Sequence, residues 1–268
     1  MVRPEVTPGN YPAVYDYYKQ LTPSAHVLQG LHWAMSKMYR PAVHFADGAR
    51  ERVDELLDSE HRLIIACNHV NMFDQLPAAA ALHQRPLRRI VGNTIVLAKQ
   101  PYFKNPAVRR LLDLSGAIPV FRDKDLSEEA GITRREQVAI GQTLVSTVAQ
   151  KIDAGYHMFL FPEGTRNQGD PSELGKIKSG IGRMTVAAAN TPTATGAYVP
   201  VALLPMAIWY GSESRHSFAP TIHFGSPQEG PFTSATQVTR NLAEGMAESL
   251  LAAIELSASA PEAPAQAA

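Results

Sequence analysis

The stretch Leu63-Ile64-Ile65-Ala66-Cys67-Asn68-His69-Val70-Asn71-Met72-Phe73-Asp74 runs from an unbroken apolar segment into a polar turn that holds a base and a carboxylate. The apolar part has strand character. In an open sheet flanked by helices, chemistry gathers at the carboxyl ends of the strands, which is where His69 and Asp74 fall. A second stretch repeats the arrangement: Met158-Phe159-Leu160-Phe161 leads into Pro162-Glu163-Gly164-Thr165-Arg166, a glycine turn beside a carboxylate, a hydroxyl and a guanidinium.

Outward from these two stretches the chain alternates strand and helix patterns. Strands are expected over 63–67, 89–96, 117–121, 157–161, 198–207 and 221–224, and helices over 75–83, 106–115, 135–154, 181–189 and 234–256. This alternation predicts an α/β fold, a mixed and mostly parallel sheet flanked by helices. Before it, residues 11–38 read as one helix, with Val27, Leu28, Leu31, Met35 and Met38 on one face. That face either packs on the core or lies on a membrane surface, where Trp33, Lys37, Tyr39 and Arg40 suit the headgroup zone. Pro41 and Gly48 break the pattern and set the expected limit of an N-terminal helical segment, 1–48. The main domain is expected over 49–256. The Ala-, Ser- and Pro-rich end, 257–268, reads as a disordered tail. Residues 123–134 form a charged loop and 167–175 a polar one.

Composition narrows the function classes. The chain has 268 residues, 45% of them hydrophobic and 19% charged, so a sizeable core is expected. Its 25 Lys and Arg balance 25 Asp and Glu, which argues against a nucleic-acid partner and means that any anion must be held locally. The single cysteine, Cys67, suits a reducing, cytoplasmic location. The first residues show no secretory signal pattern, and no apolar run approaches the roughly 18 to 20 residues of a membrane span.

Taken alone, His69 and Asp74 admit plain roles, a core histidine and the N-cap of the helix at Gln75. Together they are a histidine at a strand end and a carboxylate about one turn later, which leaves one imidazole nitrogen available as a base. The sequence has no G-x-S-x-G elbow, and Cys67 lies inside an apolar strand, so the nucleophile is expected to come from the substrate. Gly164, Thr165 and Arg166 are the parts of a phosphate cradle, but not of a P-loop, because Asp170 stands where the lysine would be. Arg122, at the end of Gly116-Ala117-Ile118-Pro119-Val120-Phe121, adds a forked cation, and Lys176 and Lys178 add positive potential. The histidines lack metal-ligand spacing, so no metal is expected.

In order along the chain, these segments resemble the glycerolipid acyltransferase family that includes 1-acylglycerol-3-phosphate acyltransferase. The Asn-His-x4-Asp motif is matched by Asn68, His69 and Asp74. The glycine, apolar strand and arginine motif is matched by Gly116 to Arg122, and Phe-Pro-Glu-Gly-Thr-Arg by Phe161 to Arg166. The apolar strand around a proline is matched by Val199-Pro200-Val201. Ala98-Lys99 and Lys178-Ser179-Gly180-Ile181 are also similar to the family. Phe121 departs from it, standing where many members carry a polar residue, and the long hydrophobic N-terminal segments of many members are missing.

The resemblance implies that His69 and Asp74 are catalytic. It places Asn68, Lys99, Gly116, Arg122, Glu163, Gly164, Thr165, Arg166 and Pro200 on the substrate side. It further implies an acyl thioester of coenzyme A or acyl carrier protein as co-substrate, no cofactor, a lysophospholipid acceptor, and peripheral attachment at the inner face of a membrane. Rival readings are a different acceptor (glycerol 3-phosphate, a lyso-aminolipid or a glycolipid), a thioesterase, and a non-catalytic lipid or acyl-thioester binding protein.

Overall fold

The structure is a computed structural model that describes residues 2–122, 126, 131–192, 196–212 and 215–259. Its strands are β1 (Ala42–Phe45), β2 (Arg62–Cys67), β3 (Thr94–Lys99), β4 (Ala117–Val120), β5 (His157–Leu160), β6 (Val201–Trp209), β7 (Thr221–Phe224) and β8 (Gln228–Glu229). Its helices are α1 (Tyr11–Gln20), α2 (Ala25–Met38), α3 (Ala49–Asp58), α4 (Gln75–Leu82), α5 (Pro106–Leu114), α6 (Arg134–Asp153), α7 (Gly180–Asn190) and α8 (Ala235–Ser259). The strands form one sheet in the order β1-β7-β6-β2-β5-β3-β4, with β8 also on β6. All pairings are parallel except those of β6 with β7 and β8. The mixed, mostly parallel α/β sheet expected from the alternating pattern is the fold observed.

Strand periodicity divides the core between the two faces of the sheet. In β2, Leu63, Ile65 and Cys67 join a cluster with Val53 and Leu56 of α3 and Ala78, Ala81 and Leu82 of α4. Ile64 and Ala66 turn to the other face, against Ile140 and Val148 of α6, Ile181 and Met184 of α7 and Leu242 of α8. Every residue of β6 is buried, as expected of a strand covered on both sides.

This layering positions the site. The chain leaves β2 for α4 on one face and leaves β5 for α7 on the other. Because β2 and β5 are neighbours, the departing segments part between them. This divergence, at the carboxyl ends of the strands, is the topological switch point of the sheet, the place where such folds form their ligand crevice.

Several boundaries depart from expectation for identifiable reasons. The single helix expected over 11–38 is two, α1 and α2, separated at Pro23. The break lets the chain cross from one face to the other, since α1 supplies Val14, Tyr15 and Tyr18 to one core and α2 supplies Leu28 to the opposite one. Of the stripe expected on α2 only Leu28 is buried. His32 is buried beside it, whereas Met38 and Trp33 are exposed. The strand expected over 89–96 is displaced, because Leu87, Ile90 and Val91 are spaced for a helical turn and form a 3-10 segment, Leu87–Asn93, ahead of β3.

β1 and α3 have no counterpart in the sequence reading, and β1 joins the sheet before the limit expected at Gly48. Helix α8 runs on through Ser259, so the start of the expected tail is helical, and the rest of that tail lies outside the described residues. Much of the expected charged loop at 123–134 also lies outside them. Among the described residues, no helix is long and apolar enough to cross a membrane.

Candidate active site

β2 ends at Cys67, and Asn68 extends its ladder with a side chain. The Asn68 amide donates to the carbonyl of Ile208 at 3.0 Å and accepts from the Ile208 N–H at 2.7 Å. Both ends of the amide are therefore spent on β6. With the chain pinned there, His69 is set at the crevice, its side chain 12% exposed, its ring stacked on Phe161 at 4.4 Å and 19°.

His69 Nδ1 lies 2.8 Å from Asp74 Oδ2. The same oxygen accepts from the N–H groups of Val70 at 2.6 Å and Asn71 at 2.9 Å. Asp74 is fully buried, and although it precedes α4 its side chain makes no capping bond to the helix. The plain N-cap role is thus excluded by geometry. With Nδ1 on the carboxylate, Nε2 is the nitrogen left for a substrate.

The second motif holds the backbone of the first. Glu163 Oε1 accepts from the His69 N–H at 2.9 Å, and the Asn167 N–H donates to the His69 carbonyl at 2.7 Å. Glu163 is 3% exposed, and burial, partly opposed by the His69 N–H, pushes its carboxyl pKa up. It also accepts from the Gly175 backbone, and a Cβ at Gly175 would stand 2.1 Å from Glu163 Oε2, so only glycine fits against it. Gly164, at φ +68°, closes the turn after β5 with its N–H on the Phe161 carbonyl at 3.1 Å.

An acyltransferase family model matches residues 43–209, more than half of the chain. The chain belongs to the acyltransferase family. No curated protein sequence matches it significantly. Among solved structures it is similar to the 1-acyl-sn-glycerophosphate (LPA) acyltransferase PlsC from Thermotoga maritima, at 16% identity and a TM-score of 0.55, over 95% of this chain and 84% of that one. That likeness is one of fold, and with the family match it bears out the resemblance carried by the motifs.

Within this acyltransferase the residues expected on the substrate side separate into groups. Gly164, Thr165 and Arg166 are exposed at the loop after β5, and the backbone of Lys178 bonds to that loop at the Pro162 carbonyl. Lys99 is the last residue of β3, and Arg122 follows β4, on the same edge of the sheet. At a strand spacing of about 4.8 Å, this row of cations extends roughly 10 Å from β5 to β4. Among the described residues no group of three or more His, Cys, Asp or Glu is gathered to hold a metal.

Two of the expected residues lie elsewhere. Gly116 precedes β4, and Pro200 precedes β6, where its carbonyl accepts from the Arg62 N–H at the start of β2. Both therefore sit at the amino-terminal edge of the sheet, the length of a strand from His69. Asn68 and Glu163 are in the site, where their side chains bond to the backbone of Ile208 and of His69.

The structure adds residues that the sequence did not flag. Tyr210, just after β6, donates its hydroxyl to Asp74 Oδ1 at 2.7 Å. Arg215 donates to the carbonyls of Asn167, Gln168 and Gly169, while its own carbonyl accepts from the Asn71 side chain. It thereby staples the loop after β6 to both motif loops. His216 lies among Tyr39, Phe73, Tyr210 and Phe218, with ring centroids 5.2 to 6.3 Å away. Only an end-of-strand position marked Tyr210 in advance; nothing in the local pattern marked Arg215.

Proposed function

We propose that this acyltransferase moves a fatty acyl group from an acyl thioester, of coenzyme A or acyl carrier protein, to the free hydroxyl of a lysophospholipid. The favoured acceptor is 1-acylglycerol-3-phosphate, giving phosphatidic acid. The observation that carries the reading is the 2.8 Å bond between His69 Nδ1 and Asp74 Oδ2 at the mouth of the crevice. Nε2 takes the proton of the acceptor hydroxyl as the oxygen attacks the thioester carbonyl. The tetrahedral intermediate collapses with loss of the thiolate, which takes the proton back from the imidazolium. Buried Asp74 holds the tautomer and stabilises the imidazolium. Cys67 plays no part as a nucleophile, since it is fully buried and burial raises its thiol pKa well above the ordinary value.

Arg166, Arg122, Lys99 and Lys178 supply the charge for the phosphates of acceptor and donor, as the row of cations beside His69 suggests. The acceptor and the acyl chain are lipids, and the rim of the site suits a membrane surface at its cytoplasmic face. Met72 and Phe73, in the turn between His69 and Asp74, are exposed, as is Phe218 beside His216. An apolar rim around a polar centre is the pattern of interfacial contact.

The test is thiol release from a long-chain acyl-coenzyme A with no acceptor, with lysophosphatidic acid and with glycerol 3-phosphate. Release that needs lysophosphatidic acid and falls by about 10²- to 10⁴-fold in His69→Ala, with the fold intact, is the expected result. Release without an acceptor would mean hydrolysis instead, and undiminished turnover of His69→Ala would remove the base.

A further inference from the structure

The Asp74 carboxylate meets donors of two origins. Those on Oδ2, from His69, Val70 and Asn71, belong to the turn that carries the histidine and move with it. The donor on Oδ1 is the Tyr210 hydroxyl, which arrives from the end of the fully buried β6. Tyr210 is therefore the contact that ties the carboxylate to the sheet. Its ring is 8% exposed and stacked at 6.3 Å and 13° on His216. It lies one residue past the segment matched by the family model, 43–209.

We propose that Tyr210 is a positioning residue for acyl transfer, its hydroxyl fixing the rotation of the Asp74 carboxylate so that Oδ2 stays on His69 Nδ1. The inference rests on the reading of His69 as the base. Without the hydroxyl, Oδ1 becomes a buried acceptor with no partner, and the carboxylate gains by turning toward other donors. The imidazole then loses the orientation that aims Nε2 at the acceptor. Burial and the Asp74 charge both raise the phenol pKa, so Tyr210 remains a donor and gives up no proton in the reaction.

Tyr210→Phe removes the oxygen alone. It is expected to lower kcat by about 10- to 100-fold, up to the cost of a small misplacement of a reacting group, with both KM values held within about twofold. The titratable groups around the dyad are Cys67, Glu163, Tyr210 and His216, and the other three stay in place. A carboxylate turned off Nδ1 stabilises the imidazolium less, so the acidic limb of the kcat/KM profile moves to lower pH.

A readout independent of substrate is the downfield proton resonance of His69 Nδ1–H, assigned by its loss in His69→Ala. It is expected to shift or broaden in Tyr210→Phe, whether or not lysophosphatidic acid is the acceptor, so failure of the acceptor reading is told apart from failure of this one. A lower kcat with the pH limb and the resonance unchanged would overturn the proposal, as would a wild-type kcat.

Discussion

The two edges of the sheet both carry family motif residues, the carboxyl edge more of them, and use them differently. At the carboxyl edge, Asp74 and Glu163 both bond to His69 where β2 and β5 end, and Arg166 stands exposed on the loop after β5. At the amino edge, Gly116, His157 and Pro200 begin strands and close turns. A motif that spans a whole strand thus marks both a contact and the anchor of that contact, and only the strand's direction tells which end is which. Variants at the carboxyl edge are expected to change turnover, and variants at the amino edge to change stability.

The largest effect after loss of His69 is expected at Glu163, where the edges could be confused, because Glu163 acts on the site through backbone. Glu163→Ala leaves the His69 N–H without its acceptor, at a cost of about 1 to 3 kcal/mol. A misplaced imidazole is expected to lower kcat by about 10²-fold. Glu163→Gln keeps an acceptor oxygen and is expected to recover most of the stability, with acceptor KM near that of the parent. Thermal melting and steady-state kinetics on the pair decide it. A selective rise in acceptor KM would return Glu163 to the substrate side.

At the amino edge, His157 opens β5, and its Nδ1 accepts from the Leu63 N–H at 2.9 Å. That bond requires an unprotonated Nδ1, and burial, helped by Arg62, pushes the His157 pKa down to about 3. The pKa is lower folded than unfolded, so below about 6.5 the unfolded chain binds the proton first. Stability from this group is complete above pH 6.5 and falls by about 1.4 kcal/mol per pH unit toward pH 3. His32, lowered to about 4 chiefly by burial at α2, acts in the same direction. Denaturant titrations from pH 7 to 4 are expected to show a slope that His157→Gln reduces. An unaltered slope would assign the acid sensitivity elsewhere.

How much of this was legible in the sequence follows from the same contrast. The sheet, its main helices, and the pairing of His69 with Asp74 were readable because apolar runs and strand-end polar residues are local signals. The roles of Asn68 and Glu163 were not, since each is defined by a backbone group far along the chain: Ile208 for the first, His69 for the second. Tyr210 and Arg215 were missed for the same reason. Phe121 was noticed as a departure from the family, and the structure explains it: the ring is buried edge-on against Tyr15 of α1 at 5.9 Å, so that position serves the docking of the N-terminal helix. β1 escaped notice because it is a short edge strand whose partner, β7, lies far away in sequence.

The smallest effects test the amino edge most sharply, because they pair a structural cost with no expected change in kinetics. Gly116 adopts φ +72°, and a Cβ there would stand 2.7 Å from Pro23 Cγ, where the chain crosses between α1 and α2. Gly116→Ala is expected to cost about 1 to 3 kcal/mol and to leave kcat and both KM values unchanged. Pro200→Ala is expected to be quieter still. Pro200 is exposed, and its one backbone bond, from Arg62 N–H to its carbonyl, survives any substitution, so stability should stay within about 0.5 kcal/mol. If acceptor KM rose in either variant while the melting temperature held, the amino edge would be reaching the substrate after all. The division between a reacting edge and an anchoring edge would then fail at that residue.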